Sequence, residues 1–216
     1  MDSKMPKTLV IFDCDGVLRS ASWKAIYKAY QVILKRYEKH FGDFFQTQDE
    51  FQRWFDFDWI RNLERLGLPC GNESEMRKIN KIFHAFYDPF IYTFPWVDAV
   101  ASELSSRYTV TILSTSLSAS VRKSLDGTSE KISMIVGCDN VKNIKPHPEG
   151  IELIMRQMGA AAENTIMIGD TEVDVEAGKR AGVMTIGVTW GLRDKSYLES
   201  LSPDVVLEDP DDLLLL

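Results

Sequence analysis

Two carboxylates, Asp13 and Asp15, close the apolar run Leu9-Val10-Ile11-Phe12, and Gly16 follows them. Acids this close repel, and a cation between them removes that cost. A Mg²⁺ ion takes carboxylates, carbonyls and water in an octahedron, and the carbonyl of Asp15 can face the same point. The plainer alternative is a solvated turn that caps the next helix. An apolar run of this length reads as a buried strand of a parallel sheet, and Gly16 lets the chain turn at its carboxyl end. In open α/β sheets that end is where ligands bind.

Three other segments carry candidate chemistry. Ser114-Thr115-Ser116 follows the β-branched run Tyr108 to Leu113 and precedes a helix. A hydroxyl and free helix N–H groups suit a phosphate oxygen, although Ser114 also makes an ordinary helix cap. Lys145 begins Lys145-Pro146-His147-Pro148, where two prolines restrict its direction. A fixed ammonium can bridge carboxylates and a phosphate, whereas a loop lysine is otherwise solvated. Gly169-Asp170-Thr171-Glu172-Val173-Asp174 closes another apolar run. Asp170 can reach a metal there, and Asp174, one turn on, can touch it through water or hold Lys145. Acids that merely stabilise a helix start are the plainer reading. His147 is given no role.

These segments need a scaffold that gathers strand ends. Strand patterns at residues 108–113, 132–136, 165–168, 183–188 and 205–207 alternate with helices at 148–158 and 172–181. That alternation predicts a doubly wound parallel sheet with right-handed crossovers, an α/β fold. Between the first two strands the pattern is helical. Ile26, Tyr30, Ile33, Leu34, Tyr37 and Phe41 form one long stripe, capped at Ser22 and stopped near Gly42. Shorter helices follow around Phe51-Trp54-Phe55 and Trp59-Leu63-Leu66, then another long stripe from Met76 to Phe90. The division expected is a core of residues 1–19 and 94–216 with an inserted helical domain of 20–93. The aromatics between Phe44 and Trp59 read as that insert's core; an exposed surface closing over a substrate is the alternative.

The net charge of −7 argues against a nucleic-acid surface. Cys14, Cys70 and Cys138 are odd in number and show no C-x-x-C spacing, so they read as reduced thiols. Met1 to Lys7 is polar and without a signal-peptide pattern, and no apolar run reaches membrane-spanning length. A cytoplasmic protein with no membrane partner is expected, with Leu213 to Leu216 ending a helix packed on the core.

Ile11 to Leu18, the Ser114 strand end, Lys145 to Gly150 and Ile168 to Gly182 together resemble the haloacid dehalogenase (HAD) superfamily. The nearest resemblance is to its phosphoglycolate-phosphatase-like hydrolases. It implies a Rossmann-like core with a helical cap of the C1 type. It also implies that Asp13 is a nucleophile forming an aspartyl-phosphate and that Asp15 is the general acid and base. Mg²⁺ would be held by Asp13, the Asp15 carbonyl and Asp170. Ser114, Thr115 and Lys145 would bind the phosphoryl oxygens, and Asp174 would stand behind them. Dehalogenases and phosphonatases of the superfamily lack an acid at the place of Asp15, so phosphate-ester chemistry is favoured.

Two positions depart from the family pattern. Arg19-Ser20 replaces the usual Asp-Ser, and Trp96 replaces a usual Gly. Arg19, just beyond the site, is expected to bind the substrate's non-reacting anionic or hydroxyl groups. Arg36, Lys39 and His40 are further basic candidates, with a solvated helix end as the plainer reading. The function expected is a Mg²⁺-dependent phosphatase of a small phosphorylated metabolite such as phosphoglycolate, working as a monomer or homodimer. The alternatives are a β-phosphoglucomutase-type phosphomutase, a pyrophosphatase or nucleotidase, and a non-catalytic binding module.

Overall fold

The computed structural model describes residues 8–216; the polar stretch Met1 to Lys7 lies outside them. The strand β1 (Leu9–Phe12) is buried along its whole length. It pairs in parallel with β2 (Thr109–Leu113) on one side and β4 (Thr165–Gly169) on the other. With β3 (Met134–Val136), β5 (Met184–Val188) and β6 (Val205–Leu207), the six-stranded order is β3-β2-β1-β4-β5-β6, parallel at every step. Sequence order runs outward from β1 in both directions. The carboxyl ends of β1, β2 and β4 therefore meet at a switch point, where the connections diverge and leave a crevice.

The alternation of β1 side chains explains why the strand is apolar throughout. Val10 and Phe12 enter a cluster with Val97, Val100 and Leu104 of α5 (Val97–Arg107) and Val121 of α6 (Ser118–Ser124). Leu9 and Ile11 enter another with Ile151 and Ile154 of α7 (Glu149–Met158) and Ala177 of α8 (Glu172–Ala181). Helices thus cover both faces, as a parallel sheet requires.

Two units divide the chain, Met1–Ala21 with Tyr92–Leu216, and Ser22–Ile91. The second holds α1 (Trp23–Arg36), α2 (Gln48–Trp54), α3 (Trp59–Arg65) and α4 (Glu73–Tyr87). Ser22 accepts from Ala25 N at 3.2 Å and caps α1. The stripe expected to run on to Phe41 breaks at Arg36. Glu38 adopts φ 57°, Lys39 N turns back to Leu34 O at 2.9 Å, and Phe41 begins a separate 3₁₀ turn. Phe51 sits at the centre of the unit, its ring centroid 5.3–6.0 Å from those of Tyr27, Tyr30, Phe41, Phe45, Trp54 and Phe55. The aromatics are thus mostly this unit's own core, with Phe44 the more exposed member.

Helices α5 and α9 (Lys195–Ser200) go beyond the sequence reading. The chain ends in a 3₁₀ helix, Pro210–Leu215, in which Leu213 is buried and Leu215 projects outward. Arg107 of α5 ties this end down by donating to the Leu214 and Leu216 carbonyls. No helix among the described residues is long and apolar enough to cross a membrane.

Candidate active site

Asp13 continues directly from β1, its N–H donating to Ile168 O of β4 at 2.8 Å. The turn behind it closes as Leu18 N and Arg19 N donate to Cys14 O. Gly16 makes this turn with φ 87°, and a Cβ there would lie 2.1 Å from Asp170 Oδ2. Only glycine meets both the backbone angle and the close approach.

Lys145, joined to Pro146 by a cis peptide bond, brings its ammonium to the same place. Its Nζ lies 2.6 Å from Asp13 Oδ1 and 2.6 Å from Asp174 Oδ1. Asp174, in the first turn of α8, also accepts from Thr171 N (3.1 Å) and Thr171 Oγ1 (2.7 Å), closing a capping box. Asp170 is fully buried at the end of β4, and its Oδ2 accepts from Leu192 N at 2.7 Å.

Burial pushes Asp13 up to about 7 against the pull of the Lys145 ammonium, with Asp174 and Asp15 adding to the rise. Burial raises Asp170 well above the ordinary carboxylate range, reinforced by the charges of Asp13 and Asp174. Burial alone would pull Lys145 down, but Asp13 and Asp174 outweigh it and hold the ammonium. Cys14, between the two acids, is buried, and its thiol is pushed up out of the reactive range. With one lysine among three buried carboxylates, the site can hold all three ionised only if a further cation joins them.

A divalent cation fits here on three counts. Asp13, Asp170 and Asp174 each offer an oxygen within 4.8 Å of the others. Asp170 Oδ1 is buried and has no hydrogen-bond partner. The donors are all hard oxygens, the set that suits Mg²⁺. The geometric cluster includes Asp174, although both of its oxygens already accept from Lys145 and Thr171.

The Asp15 side chain turns elsewhere. It faces Arg19, whose Nε donates to Oδ1 at 2.9 Å and whose Nη2 donates to Oδ2 at 3.0 Å. Ser116 Oγ (2.9 Å) and Ser114 Oγ (3.4 Å) also donate to Asp15 Oδ2. Ser114 is buried at the end of β2 and accepts from Ser116 N, while Thr115 beside it is half-buried. Arg19, expected just beyond the site as a substrate anchor, is instead only 1 % exposed. It is drawn inward because Asp15, Ser116 and the α6 serines Ser120 and Ser124 supply acceptors for its whole fork. His147 accepts from Glu149 N through Nδ1 and stays in its loop.

Sequence reasoning missed what steadies the site from the β5 side. Leu192 N holds Asp170, and Gly191 allows it, since a Cβ there would meet Asp170 Oδ2 at 2.1 Å. Arg193 pairs bidentately with Glu172, two residues after Asp170. The Trp190-Gly191 pair closing an apolar strand was the available signal.

A family profile of haloacid dehalogenase-like hydrolases matches residues 10–188. Pyrophosphatase PpaX of Oceanobacillus iheyensis is 38 % identical over 212 residues, covering 95 % of this chain and 94 % of that protein. A hydrolase from Pseudomonas syringae superposes with TM-score 0.77 at 22 % identity, covering 97 % of each chain. A predicted phosphoglycolate phosphatase from Haemophilus somnus superposes with TM-score 0.74 at 18 % identity, covering 98 % of each. The strand order, the acids at the strand ends and a match across most of the chain agree, and the chain belongs to the haloacid dehalogenase-like hydrolases.

Proposed function

We propose that this chain is a Mg²⁺-dependent phosphohydrolase of a small phosphorylated molecule, with Asp13 as nucleophile. The observation that carries the reading is the Lys145 ammonium between Asp13 and Asp174, at 2.6 Å from each, beside a buried Asp170 with an unpartnered oxygen. Lys145 takes one oxygen of Asp13 and so orients the carboxylate for attack on phosphorus, which forms an aspartyl-phosphate as the leaving group departs. Asp15, the most open of the site's carboxylates, gives a proton to the leaving oxygen and takes one from the water that later attacks. Ser114 and Thr115 at the end of β2 receive phosphoryl oxygens. Asp174 holds Lys145 in place and is itself held by Thr171. When bound by Asp13, Asp170 and the Asp15 carbonyl, the metal neutralises charge on the phosphoryl group.

For the substrate, the likeness to a pyrophosphatase across nearly the whole chain favours inorganic pyrophosphate. It outweighs phosphoglycolate, supported by structural likeness at 18 % identity, which bears on the fold alone. The test is phosphate release from pyrophosphate, phosphoglycolate, β-glucose 1-phosphate, nucleoside monophosphates and an aryl phosphate, each with Mg²⁺ and with chelator. Metal-dependent release that is fastest from pyrophosphate and abolished in Asp13→Asn is the expected result. Release from phosphoglycolate alone overturns the substrate. Release undiminished in Asp13→Asn overturns the mechanism.

A further inference from the structure

Arg19 lies buried beside Asp15, and its neighbours show a use for it there. It is among the largest fully buried side chains among the described residues, at 1 % exposure. Its fork grips both oxygens of Asp15, through Nε at 2.9 Å and Nη2 at 3.0 Å. Nη2 also donates to Ser116 Oγ at 3.1 Å, and Nη1 to Ser120 Oγ at 3.2 Å and Ser124 Oγ at 3.1 Å. All three nitrogens are thereby committed within the protein.

The Arg19 backbone is fixed as well. Arg19 N donates to Cys14 O at 3.0 Å and Arg19 O accepts from Gly16 N at 2.8 Å, which closes the turn carrying Asp15. Arg19 also bridges to Thr93, whose hydroxyl donates to the Ser124 carbonyl. The guanidinium thus joins the turn to α6, while the Arg19 backbone joins it to the segment at Thr93. Asp15, by contrast, keeps 18 % of its side chain exposed and would turn among rotamers if nothing gripped it.

We propose that Arg19 is a positioning residue for Asp15. Its planar fork fixes the plane and direction of the carboxylate, and the α6 serines fix the fork. A lysine has one ammonium and no fork, so it cannot set that plane. The proposal rests on the reading of Asp15 as the proton-transferring group.

The test is a double-mutant cycle of Arg19→Ala and Asp15→Asn, with kcat and KM measured on pyrophosphate and on aryl phosphates of graded leaving-group basicity. Alone, Arg19→Ala should lower kcat by about tenfold or more, a part of what a positioned acid contributes. KM should change by less than about threefold, since binding contacts stay in place. Among the aryl phosphates the loss should grow with leaving-group basicity, and Arg19→Lys should not restore the parental rate. In the Asp15→Asn background, Arg19→Ala should add less than about twofold, because the two act as one unit. An equal further loss in that background, or a leaving-group dependence unchanged from the parent, overturns the proposal. On pyrophosphate the cycle alone decides. Should Arg19→Ala not fold, Ser120→Ala with Ser124→Ala loosens the fork while keeping the charge. That pair should lower kcat in the same pattern by about two- to fivefold, and no change overturns the proposal. Parental rates in Asp15→Asn instead overturn the role of Asp15 itself.

Discussion

Lys145→Met removes the ammonium from between Asp13 and Asp174 and keeps an unbranched side chain of similar length. Lys145 is 3 % exposed and lies 2.6 Å from each partner, so water cannot replace it. Removing one partner of a buried ion pair costs about 3–5 kcal/mol, because the other charge stays buried. For a chain of this length each kcal/mol moves the melting temperature by about 2–4 °C, so the metal-free variant should melt about 6–20 °C lower. The loss should depend on pH. Asp13 stands at 3.8 unfolded and about 7 folded, so its contribution is full below 3.8 and lost as pH rises through about 7. Without the lysine that folded value rises further, and the extra proton is harder to forgo. The deficit should therefore be larger at pH 8 than at pH 5.5. The assay is calorimetry in chelator at both values, with phosphate release measured at saturating Mg²⁺. Turnover should fall by about 10²–10³ as a preorganised cation is lost. A melting change under about 3 °C at both values, or a larger deficit at the acid end, would refute the buried bridge.

Three further outcomes are expected. Mg²⁺ at a hundred times its dissociation constant should stabilise the protein by about 2.7 kcal/mol, and Asp170→Asn should abolish the shift in melting temperature. Gly191→Ala places a Cβ 2.1 Å from Asp170 Oδ2. The displaced carboxylate should lower kcat by up to about 10²-fold while circular dichroism stays unchanged. Phe51→Ala empties the centre of the Ser22–Ile91 unit and should cost about 3–5 kcal/mol in urea unfolding, read from the aromatic signal of that unit.

Much of the core was legible because burial and chemistry coincide at strand ends. A four-residue apolar run buried on both faces announces β1, and the acids and glycine after it mark the exit. Asp13, Lys145, Asp170 and Asp174 meet as a sheet with such strand ends requires. Helix α5 escaped notice because its stripe, Val97, Val100, Ala101 and Leu104, sits between Trp96 and a strand and has no side-chain cap. The end of α1 escaped because the stripe continues past it, while Glu38 takes a left-handed angle that its residue type does not signal. Arg19 was misplaced for a different reason. Next to a site, an arginine reads as a ligand group. Its actual partners, Ser116 just before α6 and Ser120 and Ser124 within it, lie about a hundred residues away and come together only once the chain has folded. Long-range polar partners leave no local pattern.

The sheet order also sets when the site comes into being. Lys145 and Asp13 are 132 residues apart, and Ser114 and Asp15 are 99 apart. Leu192, which steadies Asp170, follows it by 22. A ribosome-bound chain therefore carries its first acid pair long before the rest. It gains the complete set of carboxylates and their supports only once residue 192 has emerged and β5 has docked beside β4. Under the proposed function, metal capture is then a late event in biogenesis that rewards finished molecules and gives no advantage to partly made ones. A pulse-labelled nascent-chain series should show protease protection by Mg²⁺ only beyond that length.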